Sequence, residues 1–278
     1  MSLGYSPCPN DTFIFYALVH GKVPAGGLSF REELADVEAL NQKALKKLLD
    51  VSKISFHAYC HLREDYVLLR SGAALGRGCG PLVVAREPVA PEDLQRKLKD
   101  MRIAVPGGLT TASLLLSLYG PALRENMEPM LFSDIMPAVK EGRADAGLVI
   151  HEGRFTFGNY GLHCLLDLGR WWERETGRPI PLGGIVARRD LGDGTTRAVQ
   201  EAIRRSVRYS LQNPAEASAY IRGHAQEMED NIIQSHIGLY VNDFTLWLDD
   251  DGEEAIEELF RRAEKAGLAK PGSKPIFI

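Results

Sequence analysis

The chain has 278 residues, of which 45% are hydrophobic and 25% charged, with a formal net charge of −4 at pH 7. That length suits two modest domains or one large one, and a nearly balanced charge without a long basic run excludes nucleic acid as the main partner. No apolar stretch approaches the ~20 residues of a membrane-spanning helix, and no basic segment with an apolar core opens the chain, so no membrane is expected and the cytoplasm is the expected compartment.

The first predicted strand, Leu3-Gly4-Tyr5, runs into S-P-C-P-N-D-T-F at 6–13. Two prolines stiffen the backbone around Cys8, and Asn10, Asp11 and Thr12 are N-cap residue types ahead of a helix-compatible F-I-F-Y-A-L-V-H. A rigid turn presenting a helix N-terminus can hold an anion or polar ligand, and equally can simply leave a strand. Strands are predicted next at 28–34 and 51–56 with a helix between them, then at 66–70 and 81–86. A charged helix follows near 91–99, a strand at 102–105 and a helix at 110–119. A strand near 128–132, a helix at 134–140 and the strand A-G-L-V-I at 146–150 continue the alternation, which marks an α/β chain with mainly parallel strands.

After Asp190 the pattern turns helical. Val199, Ala202, Ile203, Val207 and Leu211 fall at three- and four-residue spacing on a helix capped by Thr195 or Thr196. Further helices are expected at 213–222, 229–241 and 251–266, the last closed by Gly267. Trp171, Trp172 and Trp247 read as packing residues. One echo links the halves: P-L-V-V-A-R at 81–86 returns as P-L-G-G-I-V-A-R at 181–188. Two like strands bracketing a complete α/β segment suggest two crossover strands. The expected lobes are 1–86 with 183–278, and 87–182 inserted, with a ligand cleft between them.

Chemistry concentrates at strand ends. In E-G-R-A-D-A-G-L-V-I-H-E-G-R-F (141–155), His151 is the first polar residue after a buried strand. Imidazole titrates nearest neutral pH, which suits a general base; a histidine that only caps the strand fits the same position. In P-G-G-L-T-T-A-S (106–113), Thr110 and Thr111 open a helix whose hydroxyls and free N–H groups would bind a carboxylate or phosphate, or serve as an N-cap. The G-K-[ST] ending of a P-loop is missing. In S-F-H-A-Y-C-H (55–61), Ser55 ends a strand, and His57, His61 and Cys60 mimic part of a metal site, but no carboxylate ligand completes it, so no metal is expected. The four cysteines are scattered and form no C-x-x-C pair, as expected of reduced thiols.

Read together, G-Y-S-P-C-P-N-D-T-F, V-S-K-I-S-F-H-A-Y, G-G-L-T-T-A-S-L-L-L and G-L-V-I-H-E-G-R-F-T-F resemble the 1,4-dihydroxy-6-naphthoate synthases of the futalosine route to menaquinone, in order along nearly the whole chain. The resemblance implies a two-lobed, type II periplasmic-binding-protein-like fold and a small-molecule carboxylate substrate, cyclic dehypoxanthine futalosine. It implies that His151 matches the family's catalytic base, and that substrate contacts fall on Ser55, Phe56 and His57 and on Thr110, Thr111 and Ala112. Asn10 and Thr12 would offer hydrogen bonds to ring hydroxyls, with Asp11 as a cap. Such a path needs proton transfer and positioning and implies no cofactor. The rivals are a chorismate dehydratase paralogue and a non-catalytic solute-binding protein of the same fold. Oligomeric state is not legible.

Overall fold

The structure is a computed structural model that describes residues 1–225 and 229–278. The chain divides into two compact units, one built from Met1–Gly76 and Pro181–Ile278, the other from Arg77–Ile180.

In chain order the first unit opens with β1 (Ser2–Tyr5), α1 (Pro9–Val19), β2 (Arg31–Leu34), α2 (Val37–Leu45), β3 (Val51–Ser55), α3 (Phe56–Tyr59), β4 (Tyr66–Leu68) and β5 (Ala74–Gly76). The second unit holds β6 (Leu82–Ala85), α4 (Leu94–Leu98), β7 (Ile103–Val105), α5 (Thr111–Tyr119) and β8 (Met127–Pro129). It continues with α6 (Phe132–Lys140), β9 (Ala146–Val149), α7 (Gly153–Thr156), β10 (His163–Asp167) and α8 (Leu168–Thr176). The chain returns to the first unit through β11 (Ile180–Arg188) and ends in α9 (Asp193–Gln212), α10 (Ser218–His224), α11 (Asp230–Tyr240), α12 (Asp243–Leu246) and α13 (Asp250–Lys265).

The two sheets share one plan. In the first unit the order is β2-β1-β3-β11-β4, with β5 also on β11; in the second it is β8-β7-β9-β6-β10. In each, three neighbouring strands run parallel, and the strand in fourth place runs against both of its neighbours. Those reversed strands are β6 and β11, the two carrying the repeated P-L…V-A-R sequence. The expected boundary after Arg86 moves to Gly76/Arg77, because β6 pairs residue for residue with β9, from Leu82 opposite Val149 to Ala85 opposite Ala146, and so belongs to the second sheet.

Burial explains the elements. Every residue of α1 from Pro9 to Leu18 is buried, as the run that is apolar on every face from Phe13 onward requires. It packs in the first unit's core with Val199, Ala202, Ile203 and Val207 of α9, where burial of each valine or isoleucine side chain is worth ~1.5–3 kcal/mol. Leu211, predicted on the same stripe, is exposed instead, in the last turn of the helix, two residues before its cap at Asn213. The α9 cap is Gly192, and Thr196 donates back to the Gly192 carbonyl from within the helix. Trp172 is fully buried and donates to the Pro179 carbonyl. In the second unit the start of β6 meets the first turn of α8 so closely that a Cβ on Gly80 would lie 2.3 Å from the Gly169 backbone. Only glycine on both sides permits that approach.

Candidate active site

Because the sheets share a plan, the four turns singled out in the sequence occupy equivalent places. The 6–12 turn follows β1 and the Ser55 turn follows β3, which are adjacent and parallel; the 106–112 turn follows β7 and the His151 turn follows β9, also adjacent and parallel. Each unit thus presents two turns at the carboxyl ends of neighbouring strands, the edge at which α/β sheets bind ligands.

In the first turn the N-cap is Cys8, with an extended backbone and Pro9 at the first helical position; Asn10, Asp11 and Thr12 lie inside the first turn of α1 and are not caps. Proline there supplies a preset φ and gives up an N–H that would have no partner. All three residues are buried. The Thr12 hydroxyl donates to the carbonyls of Cys8 (3.0 Å) and Pro9 (3.2 Å). The Asp11 carboxylate accepts at Oδ2 from the Ser6 amide (3.2 Å) and hydroxyl (2.8 Å), and at Oδ1 from Asn10 Nδ2 (2.9 Å) and Lys53 Nζ (2.8 Å). Lys53, on β3, also donates to the Gly72 carbonyl at 3.1 Å. The two charged side chains are 6% and 3% exposed. A buried ion pair of this kind is tolerated only with its hydrogen bonds filled, as they are here. Asn10 completes the turn by accepting at Oδ1 from His236 of α11, 2.9 Å away.

At the second turn Ser55 ends β3 and caps α3. Its amide donates to Asn41 Oδ1 at 2.9 Å, and Asn41 Nδ2 donates to its Oγ at 3.2 Å. Phe56 points into the core, edge-on to Phe260 at 6.2 Å. His57 is half-buried, its ring 5.6 Å from that of His61. Burial pushes the neighbouring Cys60 thiol up to about 12.

In the second unit, Thr110 caps α5: Oγ1 accepts from the Ser113 amide at 3.3 Å and donates to the Gly107 carbonyl at 2.9 Å, where Ser113 Oγ also donates. Gly107 takes φ 140°, a backbone that side-chain-bearing residues rarely adopt. Thr111 and Ala112 occupy the first turn of α5 and are buried. His151 follows β9 with φ 54°, a left-handed backbone uncommon outside glycine and of the kind that clusters at working sites. Its ring stacks on Phe132 at 5.6 Å. Three residues on, Arg154 donates to the Gly80 carbonyl (2.7 Å) and to Asp167 Oδ2 (2.7 Å), while Asp167 Oδ1 caps α8 through Gly169 and Arg170. That clamp ties the His151 turn to the strand that opens the unit.

Lys53, Asn41, His236 and Arg154 did not stand out as site residues in the sequence. A lysine inside the otherwise uncharged V-S-K-I-S was a usable signal, since a cation in a central strand demands a buried partner. Asn41 and His236 gave none, because their partners lie 14 and 226 positions away.

The sequence pattern of a family described as menaquinone biosynthesis matches residues 1–265. A 1,4-dihydroxy-6-naphthoate synthase of Thermus thermophilus is 51% identical over 100% of this chain and 99% of its own length, and one of Streptomyces coelicolor is 46% identical over 96% and 94%. Among solved structures, protein AF1704 of Archaeoglobus fulgidus has a TM-score of 0.88 and 38% identity, covering 96% of this chain and 97% of its own. The periplasmic aliphatic sulphonate binding protein SsuA of Escherichia coli has a TM-score of 0.64 at 12% identity, covering 98% and 88%; that likeness concerns the fold alone. With full-length relatives at this identity, a periplasmic-binding-protein-like fold and its own strand-end turns in place, the chain belongs to the menaquinone biosynthesis family.

Proposed function

We propose that the protein is a 1,4-dihydroxy-6-naphthoate synthase, a carbon–carbon lyase acting on cyclic dehypoxanthine futalosine in the cytoplasm. The observation that carries this reading is the 51% identity, end to end, with a relative of that name.

In the proposed reaction His151 takes a proton from the substrate, and a C–C bond breaks in a retro-aldol or elimination sense. A small dihydroxyacetone-type fragment leaves, and the remaining ring gains aromatic stability. The step is redox-neutral: the electron pair of the broken bond ends in the departing enolate-like fragment, which is then protonated. The left-handed backbone of His151 supports its role, because it turns the side chain out of the line of β9. The first turn of α5, at Thr110, Thr111 and Ala112, would hold the substrate carboxylate on amide N–H groups and the helix dipole. Ser55 and His57 would contact the ring system and Asn10 a ring hydroxyl, while Phe56, whose side chain lies in the core, would offer only its backbone. Asp11 and Thr12, whose hydrogen bonds are taken up within the turn, would shape the wall.

Incubation of wild type and His151→Ala with cyclic dehypoxanthine futalosine tests the reading. Loss of a general base should lower kcat by about 100-fold or more. A variant that turns over at the wild-type rate removes His151 from the mechanism, and a wild type that leaves the substrate untouched removes the function.

A further inference from the structure

We infer that His236 is a positioning residue for Asn10, part of a buried relay Lys53–Asp11–Asn10–His236 that fixes which way the Asn10 amide faces. The inference rests on the placement of Asn10 against substrate proposed above.

The orientation follows by elimination. The Asp11 carboxylate, paired with Lys53, can only accept, so the part of the Asn10 amide 2.9 Å from Oδ1 must be its NH2 group. The Asn10 oxygen then faces His236 Nε2, also at 2.9 Å. A carbonyl oxygen cannot donate, so Nε2 must carry the hydrogen. The reversed amide would set oxygen against carboxylate, replacing a hydrogen bond by repulsion whichever ring nitrogen carries the hydrogen. All four side chains are at most 6% exposed, so water is poorly placed to substitute for a missing partner.

The amide is therefore held at both ends, one on the strand–turn framework and the other on α11, 226 residues along the chain. One N–H goes to Asp11 and one oxygen lone pair to His236. The second N–H and second lone pair, whose directions the relay sets, are what Asn10 offers to a substrate hydroxyl. His236 itself touches no reacting atom; it acts through Asn10. The sequence motif S-P-C-P-N-D-T-F thus works only with a residue from the helical tail.

A double-mutant cycle tests this. kcat and KM for cyclic dehypoxanthine futalosine would be measured for wild type, His236→Leu, Asn10→Ala and the double variant. His236→Leu should lower kcat/KM by about 10- to 100-fold, mainly through KM, and should lower it no further when Asn10 is already absent. His236→Gln, whose amide N–H can replace the ring donor, should recover most of the loss. Additive losses, or a glutamine variant as poor as the leucine one, overturn the proposal. The ring tautomer gives a reading that needs no turnover: 15N NMR should find the hydrogen on Nε2 in the wild type, with that preference relaxed in Asn10→Ala. Hydrogen on Nδ1 in an active enzyme overturns the positioning role and leaves the function standing. An inert wild type overturns the function, while the tautomer still reports whether Asn10 and His236 are coupled.

Discussion

The two units place their turns by the same topology but fasten them with opposite chemistry. In the first unit the β1 turn is tied by a buried ion pair, Asp11–Lys53, and the β3 turn by neutral groups, Asn41 against Ser55. In the second unit the β7 turn is tied by neutral groups, Thr110 and Ser113 on the Gly107 carbonyl, and the β9 turn by an ion pair, Arg154–Asp167. Strand order dictates where a turn stands. How firmly it stands is a local matter of which side chain reaches it, so the same plan accommodates either solution.

Charge removal probes this contrast most strongly in the first unit, where burial is deepest. Lys53→Met strands the Asp11 carboxylate and should cost about 3–5 kcal/mol in chemical denaturation, whereas Lys53→Met with Asp11→Asn should recover most of that. If the single variant is no less stable than the double, the β1 turn is not held by its ion pair. Arg154→Gln removes the corresponding cation from a less buried pair, with side chains 16% and 13% exposed, and should cost about 1.5–3 kcal/mol of charge-assisted hydrogen bonding. Its kcat should fall along with stability, since the His151 turn loses its tie to Gly80; an unchanged kcat would mean that the clamp serves stability only. The smallest effect separates backbone from side chain at residue 151. At φ 54° glycine is strain-free and alanine is not, so His151→Gly should be more stable than His151→Ala by about 1 kcal/mol. Equal melting curves would argue against a left-handed residue there.

Much of this was legible from local pattern. Alternating apolar runs gave the α/β class, and the three- and four-residue spacing of Val199, Ala202, Ile203 and Val207 gave the buried face of α9; the repeated P-L…V-A-R singled out two strands, expected as crossovers, whose reversed direction only the pairing shows. Boundaries were less legible: Cys8 rather than Asn10, Asp11 or Thr12 caps α1, because the proline at position 9 takes the first helical place and pushes those polar residues inside the helix. β6 falls in the second unit because pairing partners, not strand sequence, decide sheet membership.

By itself the sequence determined which turns could carry chemistry, since glycines, prolines, hydroxyls and His151 at strand ends announce themselves through local conformational preference. Only the tertiary structure decided what holds those turns. Lys53 beneath Asp11, His236 behind Asn10, and Gly80 and Asp167 around Arg154 are hydrogen-bond partners across 13 to 226 positions of chain. A buried polar group must find its partner in space, and the sheet order that brings such distant residues together leaves no periodic trace in the sequence.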